Sequence, residues 1–84
     1  MYELVFSKNF LNKLKKLEKH IQEKIIKVLE RVRIRPESHF ERLVGEKAYK
    51  LRVGDYRIIA EINAGKLLIL LLDVGHRKNV YKRK

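Results

Sequence analysis

Basic side chains recur at alternate positions in the second half of the sequence, a pattern that could gather them around a phosphate group. Lys50 and Arg52 alternate with apolar residues, and Arg57 lies in the next segment of similar pattern. Because successive side chains of a strand point to opposite faces of a sheet, all three share one face if the apolar residues face a core. Arg77 has the parity to join them. These four cations, without matching acids, would form a phosphate pocket.

Each of these cations also has a purely structural explanation. Lys50 and Arg52, taken singly, are more typical of solvated positions on the outer face of a sheet. Arg57 could instead form an ion pair with Asp73 or Glu61. The cluster therefore supports a phosphate site more strongly than any one residue does.

Other kinds of catalytic site find little support. Metal-dependent nucleases gather carboxylates around a divalent ion, but Asp55, Asp73 and Glu61 are single and scattered. There are no cysteines, and the histidines lack metal-ligand spacing. His76 precedes Arg77 and would point to the other face of a regular strand, so packing or hydrogen bonding is favoured for it over proton transfer. The sequence predicts no metal site and no small-molecule cofactor.

The charge of the chain indicates a polyanionic partner. Its 84 residues include 21 Lys and Arg against 10 Asp and Glu, a net charge of +11, and such a field attracts polyanions. Nucleic acid is favoured, and the alternatives are a merely solubilising surface or a basic face that meets an acidic partner protein. A membrane ranks third because no segment has a clean apolar face opposite a clean basic one. The longest apolar run, Leu67–Leu72, is far shorter than the roughly 18 residues of a membrane span. With no cysteines and no signal-peptide pattern, the chain is expected in the cytoplasm.

A strand and two helices are predicted in the first half. Tyr2–Phe6 alternates as a short strand does, and over residues 8–34 apolar residues recur at spacings of three and four, which predicts helix. Pro36 ends the pattern. A single helix would be about 40 Å long and would overhang a domain whose radius of gyration is near 12 Å. We therefore expect a break near Glu18–His20 and two antiparallel helices.

Short turns separate three further predicted strands, which are Ala48–Val53, Tyr56–Ile62 and Lys66–Val74. The third contains an apolar run without alternation, so it should be central and covered on both faces. Residues 35–47 are polar and are interpreted as irregular. The order β-α-α-β-β-β predicts one α+β domain over residues 1–84, with two antiparallel helices on one face of a mostly antiparallel four-stranded sheet.

Two segments resemble signatures of the RelE/ParE toxin superfamily. Tyr49–Ile59 is similar to its central signature, and Gly75–Tyr81 is similar to its C-terminal one. Phe6-Ser7 before a lysine-rich helix and Arg35-Pro36 after the second helix match the remainder. The resemblance covers essentially the whole chain and implies a single RelE-like toxin domain.

The superfamily contains two activities. By resemblance, RelE-type members cleave messenger RNA in the ribosomal A site, whereas ParE-type members poison DNA gyrase and lack the full basic set. The RelE-type positions all carry a suitable residue here, although lysine is more common where Arg52 stands; they are Lys50, Arg52, Arg57, Arg77 and Tyr81. The residues for which the resemblance implies RNA or phosphate binding are Lys50, Arg52, Arg57, Arg77 and Lys78. The ribonuclease is therefore favoured.

The implied chemistry needs no metal. The ribose 2′-hydroxyl attacks the adjacent phosphate and leaves a 2′,3′-cyclic or 3′ phosphate and a 5′-hydroxyl. Arg57 and Arg77 would neutralise the charge that builds on the phosphate oxygens. Lys50, lying among other cations, would act as the base, and Tyr81 would stack on a nucleobase or steady the leaving group. No residue is an obvious general acid. The implied partners are a cognate antitoxin, the ribosome and messenger RNA.

Three functions stay open at this point: a ribosome-dependent endoribonuclease, a gyrase inhibitor, and a non-catalytic nucleic-acid-binding module. The first predicts that Lys50, Arg52, Arg57 and Arg77 form a phosphate pocket. The second predicts that these residues are splayed apart or paired with acids, and the third predicts a flat basic face.

Overall fold

A computed structural model describes residues 1–45 and 47–76 of the chain, and in it two helices pack against a five-stranded sheet. The elements are, in order, β1 (Glu3–Phe6), α1 (Lys8–Leu14), α2 (Lys19–Val32), a 3-10 helix (Pro36–Ser38), β2 (Glu41–Arg42), β3 (Tyr49–Val53), β4 (Tyr56–Asn63) and β5 (Leu68–His76). The predicted α+β class is confirmed. Neither described helix is both long and apolar enough to cross a membrane.

The strands lie in the order β1-β5-β4-β3-β2, and only the β1–β5 pair of this described sheet is parallel. Strand β5 is therefore interior, as its continuous apolar run predicts. The predicted count of four strands is wrong by one, because the short edge strand β2 pairs with β3, with Glu41 opposite Lys50. Both residues of β2 are exposed, so no apolar alternation marks it in the sequence.

The helical stripe breaks over residues 15–18, slightly before the predicted Glu18–His20, and side chains bind the interrupted backbone. The Ser7 hydroxyl accepts a hydrogen bond from the Phe10 amide at 3.0 Å and begins α1. Between the helices, Nε2 of Gln22 donates to the Leu17 carbonyl at 2.8 Å. Because carbonyls at a helix end lack intrahelical partners, this amide stabilises a break that contains no glycine or proline.

The helices cover the sheet face that carries the apolar residues of β3 and β4. The largest fully buried side chains of this core include Phe10, Ile25, Leu29, Ile58, Ile69 and Leu71. Helix α2 ends beside the start of β1, where the Tyr2 amide donates to the Arg33 carbonyl at 2.9 Å. Lys50, Arg52 and Arg57 therefore lie on the other face, as strand parity predicts.

A β-bulge interrupts the pairing of β4 with β5. Leu71 lies opposite Ala60 and Asp73 lies opposite Ile59, so Leu72 is an extra residue. Oδ1 of Asp73 is 2.9 Å from Nζ of Lys13 and 3.3 Å from Nδ2 of Asn9. The bulge thus ties the interior strand to α1 through a carboxylate that is only 15% exposed.

Candidate phosphate-binding site

A pocket of about 380 Å³ opens on the sheet face away from the helices. One wall consists of cations from β3 and β4, and the other of the segment that joins the 3-10 helix to β2; the lining residues are Ser38, His39, Phe40, Glu41, Lys50, Arg52 and Arg57. Three of the predicted site residues therefore share one cavity.

Arg52 and Arg57 lie directly opposite each other on neighbouring strands. Like charges in this arrangement destabilise a sheet. Nε of Arg57 is also buried and has no hydrogen-bond partner among the described residues. A buried donor left unsatisfied costs about 1–3 kcal/mol, so this guanidinium is held at an energetic cost beside the pocket.

The carboxylates that could have neutralised Arg57 are not bound to it. Asp73 instead accepts from Lys13 and Asn9, and within residues 1–45 and 47–76 no carboxylate forms an ion pair with Arg57. Lys50 has a partner, since its Nζ lies 3.5 Å from Oε1 of Glu41. The two arginines thus supply positive charge without a matching acid in the described part of the site.

The second wall was not predicted from the sequence, which was interpreted as irregular over residues 35–47. Phe40 is only 7% exposed and packs into the main core. The amides of His39 and Phe40 both donate to the Pro36 carbonyl at 2.9 Å, and Pro36 is itself buried. The segment therefore holds the exposed His39 and Glu41 at fixed backbone positions. The available signal was Phe40, a single aromatic residue in a polar stretch.

Other predicted groups lie elsewhere. His76 is opposite Tyr56, and the two rings meet edge to face with centroids 5.9 Å apart, which fits the packing role. The predicted site residues Arg77, Lys78 and Tyr81 lie outside the described residues. In the described ranges no three His, Asp or Glu side chains form a group that could hold a metal ion. The geometry suits a phosphodiester, whose oxygens would accept from the unpaired guanidinium groups.

Comparison with protein families gives a match over residues 4–81 to the ParE toxin of the type II toxin–antitoxin system parDE. Comparison with curated proteins gives no match.

Solved structures with the same fold include toxin–antitoxin complexes and the isolated RelE toxin of E. coli. The intact RelBE complex of E. coli has 26% identity, with 90% of this chain and 96% of that chain covered and a TM-score of 0.77. The RelB–RelE complex of Methanococcus jannaschii has 29% identity, coverage of 88% and 91%, and a TM-score of 0.68. RelBE2 of Mycobacterium tuberculosis, at 22% identity, 93% coverage of both chains and a TM-score of 0.84, shows the fold alone.

Proposed function

The chain belongs to the family of ParE toxins of type II toxin–antitoxin systems, and on that premise we propose that it is a ribosome-dependent endoribonuclease that cleaves messenger RNA in the A site. The observation that carries the proposal is the pair of opposed arginines, Arg52 and Arg57, in one pocket with Lys50. The buried, unpartnered Nε of Arg57 is the strongest sign that this pocket is built for an anion.

The proposed reaction uses only the chain's own side chains and the RNA. The 2′-hydroxyl loses its proton and its oxygen attacks the adjacent phosphorus. The bond from phosphorus to the 5′ oxygen then breaks, and that oxygen takes up a proton. Arg57 stabilises the charge on the non-bridging oxygens, which is usually the largest catalytic contribution, while Lys50 and Arg52 hold the backbone. Arg77, Lys78 and Tyr81 are proposed to complete the RNA contacts.

A protein of this activity would need a partner that restrains it. Two of the similar solved structures, from E. coli and Methanococcus jannaschii, hold a RelE toxin together with a RelB antitoxin, and we extend that pairing to this chain as a cognate antitoxin. The ribosome would present the messenger RNA, and the action would take place in the cytoplasm. The net charge of +11 favours both the ribosome and an acidic antitoxin.

A second candidate function is inhibition of DNA gyrase, which the match to the ParE family favours. That function requires no assembled phosphate pocket, and it would leave the opposed arginines without a role. We therefore rank it below the ribonuclease.

Mapping of messenger RNA ends in a translation extract tests the proposal. Addition of the protein should create new 5′ ends within translated codons, and the same transcript without ribosomes should stay intact. A parallel assay measures supercoiling by DNA gyrase. If transcripts stay intact while supercoiling is blocked, gyrase inhibition replaces RNA cleavage as the proposed function. If the protein binds RNA but has neither effect, a non-catalytic binding module is the remaining function.

A further inference from the structure

We propose that His39 is the general base of the reaction, an inference that rests on the proposed function. Sequence reasoning assigned the base to Lys50 and found no acid. The structure places His39 among the residues that line the pocket with the three cations. Of the three histidines of the chain, all within the described residues, His39 is the one that lines this pocket.

The backbone around His39 is fixed on both sides while its side chain is open to solvent. Its own amide is bound to the Pro36 carbonyl, and the next residue, Phe40, is buried in the core. A proton-transfer group needs this combination, because it must reach the substrate and still hold its position in the transition state. None of the described contacts gives the His39 imidazole a structural role.

Four charged groups line the pocket together with His39. These groups are Glu41 beside His39 on its own segment, Lys50 and Arg52 on β3, and Arg57 on β4. Glu41 is the competing base, but it lies 3.5 Å from the Lys50 ammonium, and imidazole suits proton transfer near neutral pH better than a carboxylate does.

His39 and Lys50 then each carry out one of the two proton transfers. A ring nitrogen of His39 takes the proton of the 2′-hydroxyl as the bond between the 2′ oxygen and phosphorus forms. As the bond to the 5′ oxygen breaks, its electron pair goes to that oxygen, which takes a proton from the Lys50 ammonium. The products are the 2′,3′-cyclic phosphate and the 5′-hydroxyl. Solvent afterwards returns a proton to Lys50 and removes one from His39.

Single-turnover cleavage on programmed ribosomes, measured across a pH series, tests this assignment. His39→Ala should lower the rate by about 100-fold or more, the scale of general base catalysis, with little change in ribosome binding. The wild-type rate should rise with pH, because a general base must be deprotonated before it can accept a proton, and the variant should lose that rise. Added imidazole should restore part of the lost rate, and more of it at higher pH.

His20→Ala is the matched control, because His20 is exposed at the start of α2 beside Glu18 and outside the pocket. It should keep the wild-type rate and pH profile, and thermal melts should show both variants folded. A His39 variant as fast as this control would overturn the inference. So would a slow variant with an unchanged pH profile and no rescue, or rescue that grows toward low pH. A wild-type protein that cleaves nothing would instead refute the proposed function itself.

Discussion

Replacement of Arg57 by methionine is expected to separate activity from stability. Methionine keeps an unbranched side chain of similar length but removes the guanidinium. The change eliminates a buried donor without a partner, worth about 1–3 kcal/mol, and a like-charge contact with Arg52 across the strands, worth roughly 0.2–1 kcal/mol. The substitution also removes the packing of the arginine methylene groups, and this loss offsets part of the gain in stability. We expect the free energy of unfolding to rise by about 1 kcal/mol.

The same substitution should slow cleavage by about 100-fold, because one preorganised charge stabiliser contributes about 2.7 kcal/mol or more to the transition state. Urea denaturation and single-turnover cleavage on ribosomes give the two quantities. For a domain of this size the stability gain corresponds to a melting temperature higher by about 4–8 °C.

Arg31→Met is the control for this experiment, since Arg31 is exposed in the last turn of α2. It should cleave at the wild-type rate and gain no stability. If Arg57→Met destabilised the fold by more than about 1 kcal/mol, Arg57 would be a structural residue. If it cleaved as fast as the control, the pocket would not be the site of the reaction.

Three further predictions concern the pocket, the bulge and the partner. Sulfate at ten times its dissociation constant should stabilise the protein by about 1.4 kcal/mol relative to sodium chloride of equal ionic strength. In thermal melts, Arg57→Met should abolish this difference. An equal effect of sulfate on both proteins would show that no specific anion site exists. Asp73→Ala should lower the free energy of unfolding by about 2 kcal/mol, because it removes charge-assisted hydrogen bonds to Lys13 and Asn9; an unchanged urea midpoint would contradict this. Expression of the chain alone should arrest growth, and co-expression of the neighbouring open reading frame should restore it and yield a co-purifying complex, whereas a harmless chain would count against a toxin.

Much of the fold follows from apolar periodicity. The spacing of three and four from Phe10 onward predicts the helices, and alternation in β3 and β4 predicts which face each cation takes. Strand β2 could not be predicted, because it is two exposed residues long and owes its position to the burial of Phe40 before it. Tertiary packing, and not local pattern, sets that position.

The candidate site also has one part that the sequence predicts and another that it does not. The sequence identified Lys50, Arg52 and Arg57, because strand parity is a local property. It missed His39, because nothing local brings residues of a polar stretch to the edge of β3. It also left Asp73 as a possible partner of Arg57. Asp73 lies opposite Ile59, in the same register as the Arg57–Gly75 pair, but its carboxylate binds Lys13 and Asn9 of α1, a contact that alternation alone cannot anticipate.

The parallel pairing of β1 with β5 has a consequence for the order of folding. Strand β1 can pair only after β5 has been synthesised, because Glu3 pairs with Leu68 and Phe6 pairs with Leu71. Contacts between such distant segments are slow to form, whereas β3 and β4 can pair as a local hairpin. During synthesis the basic hairpin therefore exists before the core that supports it. The sheet closes only when β5 is inserted between β1 and β4, so that a chain stopped short of β5 lacks the interior strand that joins them.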